Sequence, residues 1–303
     1  MSAILMSSNF QWVLLSTLTL GIAAGIVGSL AYWKRQSLMS DALAHAALPG
    51  VFIAFLLFQE KSFFLLLIGA ALSALIGAFF IQWVQTSTRI TADTAMGMVL
   101  SVFFGLGIML LTILNRSQAG NQSGLDRFIL GQAAAMVQED VTTMFLLSVV
   151  VILTVLVAFK EWKIYLFDPL FAKGLGLSSK SMESIFTTLL VMTIVIGIQA
   201  VGVILIAALL IIPAVSARYW THSFKWMVFL SACFGGGAGA VGTLVSAFGS
   251  GWPTGPFIVV VAASMFLVSL FFGKEKGILV LFWQQKSHER RYRENRLLRE
   301  GSK

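Results

Sequence analysis

Apolar stretches long enough to cross a bilayer recur almost end to end in this sequence, and no other feature limits its possible folds so sharply. A helix needs roughly 20 residues to span the hydrocarbon core, and in lipid every backbone N–H and C=O must find its partner within the protein. The runs fall at 12–33, 38–58, 62–85, 93–114, 140–160, 182–198, 200–217, 226–248 and 256–272. The stretch 182–217 is too long for one span and is expected to divide near Gln199. Alternation is weak and strand-like turns are few, which argues against a β-barrel. The expected fold class is all-α, a polytopic transmembrane bundle of eight to nine helices. The opening MSAILMSSNFQW has no basic segment and no small-residue cleavage pattern, so the first run reads as a structural helix.

No low-complexity linker interrupts the runs, so residues 1–273 are expected to form one transmembrane domain, followed by a basic tail at 274–303. The net charge of +8 invites a nucleic-acid reading, but its placement points to topology. Nine spans put the termini on opposite sides. With the N-terminus outside, the inner loops hold Lys34, Arg35, Arg89, Lys160, Lys163, Lys173, Lys180, Arg218 and Lys225, and the outer loops only Lys61, Arg116 and Arg127. The positive-inside rule therefore expects a multi-pass cell-membrane protein with a cytoplasmic C-terminus. The tail's nine Lys and Arg residues then read as a topogenic segment beside anionic membrane lipid, with no nucleic-acid partner. His288 has no companion there at ligand spacing and is assigned no site.

Two hydrophilic intervals stand out. Residues 115–140 begin as a polar, glycine-bearing loop and continue as an apolar piece too short to span, re-entrant or interfacial in character. Residues 160–180 are basic and face the cytoplasm. Within them Asp168 followed by Pro169 is a helix start, because the carboxylate accepts unpaired backbone N–H groups and proline fits the first helical position. Gly174 or Gly176 supplies the stop. Leu170 and Phe171 make this short helix either a docking peg or a helix lying on lipid. No glycine-rich loop ends in Lys-Ser or Lys-Thr, so no Walker-type nucleotide site is expected on this chain, and no catalytic triad or Cys-His cluster is visible. The glycines of FGGGAGAVG, 234–242, read as a close-packing surface between helices. Cys233 is expected to be a buried structural thiol.

The segment SLMSDALAHAALPGVF, 37–52, is the exception in an otherwise oily chain. Asp41 and His45 stand four residues apart, so on a helix they share a face and can grip one ion. Pro49 has no N–H and crowds the His45 carbonyl, so the helix is expected to kink or break there. Two readings stand beside each other: Asp41 caps the second span while His45 bonds a neighbouring helix, or the two line an ion path. An ionisable pair left unpartnered in hydrocarbon is costly, which makes it a functional hypothesis by default.

SLMSDALAHAALPGVFIAFLL resembles the signature of the membrane permeases of ATP-binding-cassette importers for manganese, zinc and iron, a Gly-Asp-Ala-Leu-Ser-His-Ala-x-Leu-Pro-Gly run. The resemblance extends through DTAMGMVLSVFFGLGIMLL at 93–111, FDPLFAKGLGL at 167–177, GVILIAALLIIPAVSAR at 202–218 and PTGPFIVVVA at 253–262. Ser40 and Ala44 depart from the signature, and neither removes a candidate ligand. The resemblance implies a permease, homodimeric or heterodimeric, that works with two cytoplasmic ATPase subunits and an extracytoplasmic metal-binding protein. It implies Asp41 and His45 in the metal path, and Asp168, Pro169 and Phe171 in the segment that engages the ATPase. It implies no permanently bound cofactor and no enzyme activity on this chain; the cargo is a divalent metal, manganese by preference, zinc or iron as alternatives. A gradient-driven secondary transporter is the rival of another class. An intramembrane metalloenzyme is disfavoured because a single convergent pair supplies too few ligands.

Overall fold

The structure, a computed structural model, describes residues 8–58, 62–116, 131, 136, 138–249, 252–280, 282 and 283. Among them no strand occurs. The helices are α1 (Ser8–Trp33), α2 (Ser37–Phe58), α3 (Phe63–Ser87), α4 (Ala92–Arg116), α5 (Gln138–Val157), α6 (Phe159–Phe167), α7 (Pro169–Gly174), α8 (Ser179–Val201), α9 (Val203–Arg218), α10 (Phe224–Ser246) and α11 (Thr254–Phe272). Eight are long and apolar enough to cross a membrane, and α9 is a shorter apolar helix.

α9 nevertheless traverses the bundle. Lys34, just after α1, bonds Glu183 in the second turn of α8, and the Arg218 guanidinium at the end of α9 lies 5.2 Å from the ring centre of Trp33. The start of α8 and the end of α9 therefore share one end of the molecule, called here the basic end. The end of α11 joins them, because Glu275 N–H donates to the Tyr219 carbonyl at 3.0 Å. The break between α8 and α9, expected near Gln199, falls three residues on at Gly202. Its φ of 96° is closed to most side-chain-bearing residues, so backbone geometry sets the boundary there.

α1 and α10 form the tightest seam. A Cβ on Gly21 would strike the carbonyl of Gly235, and one on Gly25 that of Ser231. The missing side chains let Ser231 Oγ donate to the Gly25 carbonyl at 2.6 Å, and Thr243 Oγ1 bonds Thr17 Oγ1 at 2.9 Å. This is the expected role of the 234–242 glycines: without a hydrophobic drive in lipid, helices associate by close backbone packing and such hydrogen bonds. Cys233 does not share in it. It is exposed, a correction to the buried thiol expected from its apolar surroundings. It lies two residues past buried Ser231, about 200° around the helix, and so points away from α1.

Of the kink or break expected at Pro49, the break does not occur, because α2 continues through that residue. α3 supports the helix there: Ser73 Oγ donates to the Ala46 carbonyl at 2.6 Å, and Gly50 and Gly69 bring the two backbones together. The short piece expected within 115–140, apart from 131, 136 and the ends of α4 and α5, lies outside the described residues, as does His288 with most of the tail.

Candidate metal site and coupling segment

Asp41 is the fifth residue of α2, beyond the first turn, and so does not cap the helix. Its carboxylate Oδ1 lies 3.5 Å from His45 Nε2. The His45 ring meets Phe104 edge-on at 4.8 Å between centres, and its Nδ1 is buried without a hydrogen-bond partner. The side chain of Asp41 is 40% exposed and that of His45 14%. Among the described residues, no helix other than α4 covers the face onto which the pair opens. α4 lines that face, with Phe104 exposed and nothing near Gly97 or Gly105.

His45 is the ninth of the 22 residues of α2 and so lies near the middle of that helix. Phe104, opposite His45, is the midpoint of α4. Ala46, next in sequence, packs between Gly77 and Ser73, which bracket the midpoint of α3. His45 is therefore level with the midpoints of α3 and α4, and Asp41 lies one turn nearer the basic end.

The geometry fits one ion. A divalent cation about 2.1 Å from both Oδ1 and Nε2 would subtend roughly 110° between these atoms, a workable angle for tetrahedral or distorted higher coordination. One chain supplies no more: among the described residues no group of three His, Cys, Asp or Glu side chains converges.

The other predicted constellation lies at the basic end. Asp168 is the N-cap of α7, its Oδ1 accepting from the Phe171 N–H at 2.9 Å, with Pro169 in the first turn. The helix stops at Gly174. Gly176 has φ 84°, its N–H donates to the Lys173 carbonyl, and the Leu177 N–H donates to that of Ala172, which together form a Schellman closure. Every turn of this small helix is thus tied at both ends. It presents Leu170 and Phe171 outward, 79% and 56% exposed, and seats Ala172 inward. α6 anchors it, with Phe167 against Trp33 at 4.8 Å and Phe159 stacked on Phe224 at 5.3 Å.

The two constellations do not meet. Between them lies a cluster that sequence reasoning missed: Glu183 accepts hydrogen bonds from both Lys34 and Tyr165. Burial chiefly, with Glu183 adding to it, pushes the Tyr165 phenol up to about 12, so it remains a donor at any physiological pH. From sequence alone, Lys34 reads only as a topogenic charge. The available signal was an acid one turn into an apolar span whose start carries no other.

Comparison with known proteins gives a consistent picture. Residues 6–273 match the family described as the ABC 3 transport family. The chain is 46% identical over 270 residues to the manganese transport system membrane protein MntC of Bacillus subtilis (strain 168), which takes in 89% of this chain and 62% of that longer relative. It is also 46% identical over 278 residues to the zinc transport system membrane protein TroC of Treponema pallidum (strain Nichols), covering 92% and 93% of the two chains. Among solved structures it resembles PsaBC from Streptococcus pneumoniae in complex with Fab, at a TM-score of 0.79 and 32% identity, with 92% of this chain and 97% of that one aligned.

Proposed function

Because the chain belongs to the ABC 3 transport family, we propose that it carries a divalent metal, manganese before zinc or iron, through a pore it forms with a second permease copy. The chain is a multi-pass permease subunit of an ABC importer, with ATP hydrolysis on a separate partner chain, so the gradient-driven reading falls away. One observation carries the proposal: an Asp–His pair on an open face of the bundle, with Asp41 Oδ1 and His45 Nε2 3.5 Å apart and His45 level with the midpoints of its neighbouring helices.

The pair is half a site. One carboxylate and one imidazole leave a bound divalent ion with a net charge of +1, which is strongly disfavoured away from water. Two copies across a two-fold axis bring two carboxylates and two imidazoles, a neutral set of four to six donors. Six donors, with each carboxylate bidentate, suit manganese; affinity order alone would favour zinc, so geometry must select. A related permease carrying its own Asp and His serves equally. An extracytoplasmic binding protein delivers the ion, and the α7 peg, with Asp168, Pro169 and Phe171, receives the ATPase. In this reading the basic end faces the cytoplasm and the N-terminus lies outside, which the lysine bias supports.

The test is metal accumulation in a strain lacking the permease, titrated separately with manganese, zinc and iron. Manganese-dependent rescue that zinc does not match supports the assignment, and equal rescue by zinc overturns the metal preference. Cysteines at position 41 or 45, with exposed Cys233 replaced, are expected to crosslink between copies. Metal bound by a monomeric chain that does not crosslink would remove the shared site.

A further inference from the structure

The α7 peg is flanked in sequence by two residues that meet in space. Tyr165 lies four residues before Pro169, and Glu183 lies nine residues after Gly174. The Tyr165 hydroxyl donates to Glu183 Oε2 at 3.1 Å, so the two arms of the peg close on each other. Lys34 completes the knot by donating to the same oxygen. Its ammonium also lies over the Phe186 ring at 4.2 Å and beside Tyr165 at 5.8 Å, and its side chain is only 8% exposed. Burial pulls the Lys34 ammonium down from its ordinary range, and Glu183 opposes the shift. Without Glu183 that buried charge has no counter-ion, so the knot is held as a unit.

Lys34 is not an arbitrary anchor. It stands three residues before α2, and the link is tight: Gln36 N–H donates to the Ala31 carbonyl at 2.9 Å, and Arg35 takes a left-handed φ of 57°. From Lys34 the chain runs directly into the turns that carry Asp41 and His45. On its outer side the knot borders a cavity of about 740 Å³ lined by Gln36, Gln82, Thr86, Tyr165 and Glu183, which leaves α6 and the start of α8 room to shift.

We propose that the Lys34–Glu183–Tyr165 knot is the joint that passes movement of the α7 peg to the metal-holding start of α2. The three are positioning residues; none touches the ion. A push on the peg moves both arms together, and their shared grip on Lys34 drags the base of α2, which re-aims the Asp41–His45 pair. The inference rests on the proposed function, that α7 receives the ATPase and α2 holds the ion.

The experiment uses the complete importer, permease with ATPase and binding protein, in proteoliposomes, and reads ATP hydrolysed per manganese ion imported. Glu183→Gln keeps an acceptor but removes the charge, and is expected to raise that ratio roughly tenfold while manganese binding and ATPase co-purification persist. Tyr165→Phe, which leaves the ion pair intact and is safe for folding, is expected to raise it about threefold. A purely structural role would lower import and hydrolysis in step with abundance, so an unchanged ratio in Tyr165→Phe overturns the joint even if Glu183→Gln fails to reach the membrane. Phe171→Ala and Asp41→Asn run alongside. Should they leave ATPase association and import intact, the proposed function fails; should they behave as expected while the knot variants stay coupled, the joint alone falls.

Discussion

Two polar clusters flank the start of α2, and they are opposites. Lys34, Glu183 and Tyr165 are closed: one carboxylate oxygen takes two donors, and the lysine is almost sealed from solvent. Asp41 and His45 are open: their nearest atoms stand 3.5 Å apart, one ring nitrogen has no partner, and the carboxylate looks out of the bundle. In a low-dielectric interior a satisfied network rigidifies and an unsatisfied one is costly. In the proposed function the two have different uses: the closed cluster holds a shape, while the open pair offers Asp41 Oδ1 and His45 Nε2 to a cargo that comes and goes.

The sharpest way to break this contrast is to remove one member of the open pair. Asp41→Asn keeps shape and removes charge, so metal import should fall to background, and His45→Ala should do nearly the same, both at normal membrane abundance. Because the native pair is already under-satisfied, neither variant should lose thermal stability in detergent. Normal uptake, or a collapse in stability, would erase the distinction. Next comes the peg beyond the closed cluster. Phe171→Ala removes an exposed aromatic that touches nothing essential to folding, and should weaken ATPase co-purification about tenfold, the scale of an interface hot spot, with metal binding spared.

The closed cluster should respond the other way. Glu183→Ala strands the Lys34 ammonium and is expected to cost about 3 kcal/mol of stability, the usual penalty for breaking a buried pair. Replacing Lys34 and Glu183 together by methionine should cost clearly less, and denaturation midpoints of the two variants decide it. The smallest effect is Tyr165→Phe, about 1 kcal/mol for one hydrogen bond. The native phenol titrates near 12, above its ordinary 10. Its contribution is therefore complete below pH 10 and lost as pH rises towards 12, so the gap between variant and parent should be flat from pH 6 to 9.

Much of this was legible beforehand, for physical reasons. Spans follow from apolar run length, the Asp168-Pro169 start from cap chemistry, and the Asp41–His45 pairing from a four-residue spacing that any helix converts into adjacency. The failures are equally physical. Gly202 ends α8 through a backbone angle, which hydropathy does not register. Cys233 lies in an apolar run, yet apolarity in lipid does not separate the packed face from the exposed one. The Lys34–Glu183 contact joins residues 149 apart, and no periodicity announces such a partner.

The depth of His45 has an electrical meaning. In the proposed function, an ion held beside His45, which is level with the midpoints of α3 and α4, has crossed about half of the transmembrane field. For a divalent cation this is worth about 2.3 kcal/mol per 100 mV, inside negative. Loading from outside should therefore tighten roughly fiftyfold on an energised membrane relative to a depolarised one. The remaining half of the field then helps the same ion to leave inward, so the resting voltage favours both halves of its passage.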